Sequence, residues 1–185
     1  MLTARKELRC RVDALRRLPL VAGCTRADLA RVDGLGVQID VRAGRTLTHE
    51  GEDGRECFVV IDGTATARRA EERLGVIAPG SIAGEMALLY DMPRLATVAA
   101  LTPMRLLVLT VDEFNALLDV APCIKHYVDR IAAERRAAYP PAVGAAVRTA
   151  ADVSTKRSFT RSMPAPANYR NAPARAQRRR PRRCS

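Results

Sequence analysis

This 185-residue sequence lacks the cysteine patterns of metal-binding and disulfide-stapled proteins. It has no CxxC pair, and its five cysteines are odd in number and widely spaced. Such spacing argues against both a zinc site and a disulfide framework. We therefore expect all five to be free thiols in a reducing compartment. They are Cys10, Cys24, Cys57, Cys123 and Cys184.

The motifs of common enzyme classes are missing as well. The sequence contains no GxSxG, HExxH or Walker motif. Its two histidines, His49 and His126, have no carboxylate or cysteine partner at metal-ligand spacing. Since no catalytic constellation is present, we expect a binding module and not an enzyme, with no metal ion and no cofactor.

Long hydrophobic runs are also absent. The longest uncharged, apolar-rich stretch, residues 95–104, is far shorter than the roughly 20 residues that cross a membrane. Arginines interrupt the start of the chain, so it has no signal-peptide core. These absences predict a cytoplasmic protein without a transmembrane segment.

Acidic residues nearly disappear toward the end of the chain. Residues 1–137 carry 20 basic and 19 acidic side chains, whereas residues 138–185 carry 11 basic side chains and one acid, Asp152. Six of the eleven prolines also lie there. We predict that residues 139–185 form a basic disordered tail, because such a segment buries too little apolar surface to fold. Residues 174–185 could contact nucleic acid without sequence preference, and a solvated extension is the alternative.

Helical spacing appears on both sides of a central region. Residues 1–17 predict an N-terminal helix, and Thr25 followed by Asp28 predicts the start of another. Helical spacing returns at residues 111–119 and at 122–138, where Ile124, Val128, Ile131 and Arg135 mark one face. The central region differs: short β-rich runs alternate with Gly and Asp-Gly turns every 8–12 residues, which is typical of an all-β sandwich or barrel. The runs are VQIDV, CFVVI, TATAR, LGVIA, ATVAAL and RLLVLT.

One apolar run, GEMALLYDMPRLATV at residues 84–98, contains a carboxylate near its start and an arginine near its end. Glu85 and Arg94 are too far apart in sequence to be neighbours on one helix face. The EMALL segment predicts a very short helix, whose N-terminal N–H groups favour a phosphate. Arg94 could bind the same phosphate through two hydrogen bonds, and Glu85 could accept one from a sugar hydroxyl. An exposed ion pair without function is the alternative.

Two segments resemble one known family. APGSIAGEMALLYDMPRLATV, residues 78–98, resembles the phosphate-binding cassette of the cyclic nucleotide-binding domain family, which includes CRP and the regulatory subunits of protein kinase A. EGEDGRECFVVIDGTA, residues 50–65, resembles that family's glycine-rich strand-turn-strand pattern. The resemblance implies a domain at residues 18–138, mainly β with flanking α-helices. Its centre would be an eight-stranded antiparallel, jelly-roll-like β-roll (a double-stranded β-helix), followed by C-terminal lid helices.

The resemblance also implies site residues. Glu85 corresponds to the acceptor of the ribose 2′-hydroxyl, and Arg94 to the ligand of the cyclic phosphate. The resemblance further implies that the backbone contacts the ligand, by close approach or through its N–H groups, at Gly84, Met86, Ala87, Leu95 and Ala96. Structural turns, without ligand contact, are implied at Gly51, Gly54 and Gly63.

Three features bear on the ligand base and the packing around it. Ala83 stands where the family usually has an aromatic residue. Leu95 has no hydroxyl for the amino group of guanine, which favours cAMP over cGMP, although its bulk could hinder either ligand. Family members often cap the base from the last helix, and Tyr127 or Tyr139 could do so here.

We therefore predict a stand-alone sensor that binds a cyclic mononucleotide, cAMP in preference to cGMP, through the cassette. Binding would tighten residues 84–98 and reposition helix 122–138 as a lid. Its partners would be the cyclic nucleotide, an effector protein that the sequence does not identify, and a second copy in a homodimer. Two alternatives stay open: a nucleic-acid-associated transcriptional regulator acting through the tail, and a degenerate scaffold that binds no nucleotide.

Overall fold

A computed structural model describes residues 12–139 of the chain. Eight strands lie within this part: β1 Val37–Val41, β2 Thr46–Thr48, β3 Glu56–Asp62, β4 Ala65–Arg69, β5 Glu72–Ile77, β6 Ile82–Ala83, β7 Thr97–Ala100 and β8 Met104–Thr110. They form two four-stranded sheets, in the orders β1-β8-β3-β6 and β2-β7-β4-β5. Every strand pair is antiparallel.

Helices precede, interrupt and follow the sheets. They are a 3-10 turn at Pro19–Val21 and the α-helices α1 Arg26–Leu35, α2 Glu85–Tyr90, α3 Val111–Val120 and α4 Pro122–Ala138. Helix α2 interrupts the roll between β6 and β7. The predicted fold class, an antiparallel β-roll with flanking helices, is confirmed. Strand β2 was not identified from the sequence, because three residues are too few to show an alternating pattern.

Strands β3 and β8 are buried on both faces, because they lie between the two hydrophobic cores. In β3, Phe58 and Val60 pack between the sheets, whereas Cys57 and Val59 pack against the helices. A strand buried on both faces reads as a continuous apolar run, as CFVVI does. The face of β3 that carries Cys57 therefore lies under the helical layer.

Two capping boxes start α1 and α3. The Thr25 hydroxyl accepts from the N–H of Asp28, and the Asp28 carboxylate accepts from the N–H of Thr25 at 3.0 Å. The side-chain hydrogen bond from Thr25 is the main cause that lowers the pKa of Asp28. Thr110 and Glu113 form the same box at the start of α3. The helix start predicted at Thr25 is confirmed.

Helix α4 packs against the helical core with the face that the sequence predicts. Ile124, Val128 and Ile131 are buried there, and Pro122 occupies the first turn. In contrast to α1 and α3, no side chain caps its N-terminus. None of the helices within residues 12–139 is long and apolar enough to cross a membrane.

Several predictions fall outside the described residues. Of the predicted helix at residues 1–17, the structure describes residues 12–17, and residues 12–15 are helical. The predicted tail lies outside the described residues except for Tyr139, and so does the nucleic-acid contact predicted for residues 174–185. The domain boundaries at residues 18 and 138 stay predictions.

The expectation of free thiols is wrong for two cysteines. Cys24, between the 3-10 turn and α1, and Cys123, in the first turn of α4, form a disulfide with their Cα atoms 6.0 Å apart. The two residues are 99 positions apart in sequence. Their spacing gave no sign of the bond, because the packing of the last helix brings them together. Among the described residues, Cys57 is a free cysteine and is buried.

Reduction of the disulfide should lower the free energy of unfolding by roughly 2–4 kcal/mol, because the bond closes a long loop in the unfolded chain. Urea denaturation of the full chain, with and without dithiothreitol, measures the difference. The variant Cys24→Ser/Cys123→Ser should match the reduced wild type and be insensitive to dithiothreitol. Equal midpoints for oxidised and reduced wild type would contradict the bond.

Candidate functional site

The backbone of Arg94 is held by the turn between β2 and β3. Its N–H donates to the carbonyl of Glu52 at 2.8 Å, and its carbonyl accepts from the N–H of Gly51 at 2.9 Å. Gly51 and Glu52 belong to the glycine-rich segment at residues 50–65, whereas Arg94 belongs to the segment at residues 78–98. The two motifs found in the sequence therefore meet at Arg94.

The Arg94 side chain turns inward and is 9% exposed. Nη1 donates to the carbonyl of Gly84 at 3.0 Å, and Nη2 donates to the carbonyl of Glu56 at 2.7 Å. The guanidinium also lies 6.0 Å from the centroid of the Phe58 ring. These contacts fix the direction of the guanidinium and bring it to the start of α2.

Two glycines provide the space for this guanidinium. A Cβ atom on Gly54 or on Gly84 would overlap the Arg94 side chain. Gly84 also has a φ of 86°, in the left-handed region that favours glycine. The resemblance assigned Gly54 to a turn alone, and the structure adds its close approach to Arg94. A larger residue at either position would displace the arginine.

Glu85 begins α2 and is fully buried. Its Oε1 accepts a short hydrogen bond from Nη1 of Arg135 on α4, which also donates to the carbonyl of Ile82 at 3.0 Å. Its Oε2 has no hydrogen-bond partner among the described residues. A buried carboxylate oxygen without a donor costs free energy, so Glu85 can accept one more hydrogen bond.

The pKa of the buried Cys57 thiol depends on the charges of Glu85 and Arg94. Burial is the main cause that raises the pKa of Cys57 far above its ordinary value. The charge of Glu85 raises this pKa further, whereas the charge of Arg94 lowers it. The carboxylate and the guanidinium therefore both act on one thiol, and that thiol stays protonated and unreactive.

The structure thus brings Glu85 and Arg94 to the same end of α2, although they are nine positions apart in the sequence. Arg94 contacts the residue directly before Glu85, and both side chains are buried. The alternative of an exposed Glu85–Arg94 ion pair is excluded by this burial. The ion pair that forms is between Glu85 and Arg135.

The other cassette residues surround this pair. Met86 and Ala87 are buried in the first turn of α2, and no side chain caps that helix at Gly84. Leu95 and Ala96 are half-buried. The hydroxyl of Thr48 on β2 donates to the carbonyl of Ala96 at 3.0 Å. The ligand contacts predicted for Gly84, Met86, Ala87, Leu95 and Ala96 stay predictions.

Ala83 is buried and lies opposite Phe58 in the sheet.

The tyrosines proposed as base caps lie at different positions on the last helix. Tyr127 is half-buried, packs against the helical core and lies under Arg130, whose guanidinium carbon is 5.4 Å from the ring centroid. Tyr139 ends α4, and its N–H donates to the carbonyl of Arg135 at 2.8 Å. The capping role of either tyrosine stays a prediction.

Two arginines of α4 contact the cassette, and neither contact was predicted from the sequence. Arg135 reaches Glu85 at the start of α2, and the guanidinium of Arg136 lies 5.1 Å from the ring centroid of Tyr90 at its end. Arg135 falls on the helical face of the buried residues Val128 and Ile131. A charged residue on a buried face was the available signal, because such a residue needs a buried partner.

Metal binding has no support in this part of the chain. Residues 12–139 contain no group of three or more His, Cys, Asp or Glu side chains that could hold a metal ion.

Comparisons with known proteins agree with this geometry. The family model for the cyclic nucleotide-binding domain matches residues 38–120. Over 105 residues the chain is 30% identical to a cGMP-dependent protein kinase of Caenorhabditis elegans, a match that covers 57% of this chain and 14% of the kinase. The chain therefore corresponds to a small part of that relative.

Solved structures share the fold. The regulatory domain of Toxoplasma gondii PKA, solved with cAMP, is 29% identical with a TM-score of 0.52, covering 72% of this chain and 49% of that one. PKAR CBD2 with bound Sp-2Cl-cAMPS has a TM-score of 0.63 at 24% identity, covering 72% of this chain and 92% of that one. The family model extends over both motifs and these structures have the same β-roll, so residues 38–120 of the chain are identified as a cyclic nucleotide-binding domain, which is a regulatory module.

Proposed function

We propose that this chain is a sensor that binds cAMP in preference to cGMP at the site of Glu85 and Arg94. In this proposal the chain performs no chemistry on the nucleotide, requires no cofactor, and passes the binding event to an effector protein through α4. The proposed sensor acts as a stand-alone regulatory module.

The unpartnered Oε2 of Glu85 is the observation that carries the proposal. Leaving a buried polar atom without a partner costs about 1–3 kcal/mol, and more when the group is charged. Arg135 holds the other oxygen of the carboxylate, so Oε2 has a fixed position. A ribose 2′-hydroxyl is a neutral donor of suitable size, and it would remove the cost.

Arg94 supplies the second half of the proposed site. Two backbone carbonyl oxygens accept hydrogen bonds from the guanidinium and fix its orientation at the start of α2. A cyclic phosphate carries one negative charge and offers oxygens that match the planar fork of an arginine. The uncapped first turn of α2 would add N–H donors from Met86 and Ala87, and Leu95 would add another.

The preference for cAMP rests on Leu95. The relatives described above include a cGMP-dependent kinase and a PKA regulatory domain solved with cAMP, so they do not decide between the ligands. Leucine offers no hydroxyl to the 2-amino group that distinguishes guanine from adenine. Adenine has no such group and therefore loses nothing at this position.

Helix α4 is the proposed output element. It contacts α2 at both ends, through Arg135 on Glu85 and Arg136 on Tyr90. A ligand on the other oxygen of Glu85 would change the environment of Arg135 directly. Of the two tyrosines proposed as base caps we favour Tyr139, because it lies one helical turn beyond Arg135, whereas Tyr127 lies about 12 Å before it along the helix axis.

Substitution of Arg94 tests phosphate binding. Arg94→Ala should weaken cAMP binding about 30-fold or more, because removing one member of a buried charge-assisted pair costs about 2–5 kcal/mol. Arg94→Lys should weaken it less, since the charge stays and the planar fork is lost. Isothermal titration calorimetry measures both. Arg105→Ala is the matched control, since Arg105 is exposed and pairs with Asp40 on the surface.

Thermal unfolding of each variant checks that the fold persists, since Arg94 also satisfies two carbonyls. If wild type gives no heat at millimolar cAMP or cGMP, the sensor proposal fails and a non-binding scaffold remains.

The contact with Glu85 is tested with 2′-deoxy-cAMP. Wild type should bind it about tenfold more weakly than cAMP or worse, because a hydrogen bond to a charged group is lost. Glu85→Gln should reduce that ratio, since an amide oxygen is a weaker acceptor. Glu134→Gln, which changes an exposed carboxylate on α4, should leave it unchanged. Equal affinities of wild type for the two nucleotides would remove Glu85 from the site.

The role of Leu95 in base preference is tested by introducing a hydroxyl. Leu95→Thr should shift the ratio of cGMP to cAMP affinity toward cGMP by about fivefold, the effect of one neutral hydrogen bond. Competition titration with both nucleotides measures the ratio. Leu101→Thr, at a 48% exposed leucine, is the control. An unchanged ratio in Leu95→Thr would place this side chain away from the base.

A further inference from the structure

The Cys24–Cys123 disulfide joins the segment before α1 to the first turn of α4. Both cysteines are half-buried, so a small reductant can reach them. The first turn of α4 follows Ala121, which provides no side-chain cap. The covalent bond therefore anchors a helix end that lacks the capping boxes of α1 and α3.

The other end of the same helix reaches the ligand site. Arg135 lies twelve positions after Cys123, which is about 18 Å along an α-helix. Between them Ile124, Val128 and Ile131 are buried in the helical core. A continuous helix with a packed face transmits a displacement of one end to the other. The disulfide and the Glu85–Arg135 contact thus lie at opposite ends of one rigid element.

We propose that the Cys24–Cys123 bond is a redox switch that sets the affinity of the cyclic nucleotide site. This inference rests on the proposed function, because it concerns the regulation of the same site. In the switching step a dithiol reductant gives two electrons and two protons to the disulfide. The S–S bond breaks, Cys24 and Cys123 become thiols, and the dithiol becomes a disulfide.

The direction of the effect follows from the position of Arg135. With the bond intact, α4 is held where Arg135 orients Glu85 and leaves the buried Oε2 without a hydrogen-bond donor, so that the ligand can supply one. Reduction frees the uncapped end of α4, so Arg135 holds the carboxylate less firmly and cAMP binds more weakly. Linkage requires the reverse effect as well: bound cAMP makes the disulfide harder to reduce.

The test uses the full chain with Cys10→Ser and Cys184→Ser, so that the disulfide pair and the buried Cys57 are the remaining cysteines. Hydrogen–deuterium exchange without ligand should be faster at residues 84–90 and at the end of α4 after reduction with dithiothreitol. Calorimetry should give a cAMP affinity at least about fivefold lower for the reduced protein, within the usual range of allosteric coupling.

The matched control is the same chain with Cys24→Ser and Cys123→Ser added. It should behave like the reduced protein, and dithiothreitol should not change it. Equal exchange at residues 84–90 in the oxidised and reduced forms would overturn the inference, whether or not cAMP binds. Equal cAMP affinity in both forms would overturn it and leave the proposed function intact. Faster exchange on reduction in a protein that binds no cyclic nucleotide would reject the affinity switch together with the proposed function.

Discussion

The hydrogen bonds of Arg94 organise the site more than any other interaction in the described part of the chain. Its backbone is bonded to the turn before β3, and its guanidinium is bonded to Gly84 at the start of α2 and to Glu56 on β3. One residue thus joins the two sequence segments, and its partner Glu56 lies 38 positions before it in the sequence. The small size of Gly54 and Gly84 follows from the same arrangement, because a side chain at either position would occupy the space of the guanidinium.

Glu85 adds a second constraint, since a buried carboxylate needs both charge compensation and hydrogen-bond donors. Arg135 meets part of this need from the last helix, and one oxygen remains without a donor. The protein therefore keeps an incompletely satisfied charged group in its interior. Such a group lowers the stability of the ligand-free protein. A ligand that supplies the missing donor would bind more tightly by the corresponding free energy. In the proposed function, this carboxylate would connect ligand binding with the position of α4.

Local patterns in the sequence predicted most of the elements. Turn spacing indicated the β-rich centre, Thr25 marked the start of α1, and the buried face of α4 followed from helical spacing. The convergence of Glu85 and Arg94 was also correctly predicted, from their spacing and the resemblance together. The features that were missed depend on tertiary packing. Cys24 and Cys123 are paired only because α4 folds back over the start of the domain, and the contact of Arg135 with Glu85 joins residues 50 positions apart.

The central claim is that Glu85 and Arg94 form a ready-made binding pair for one cyclic nucleotide. A crystal structure of the full chain grown with cAMP tests it most directly. We expect the cyclic phosphate within hydrogen-bond distance of the Arg94 guanidinium and the ribose 2′-hydroxyl on Oε2 of Glu85, with Arg135 still on Oε1. A nucleotide bound elsewhere on the protein, with Oε2 of Glu85 unchanged, would contradict it.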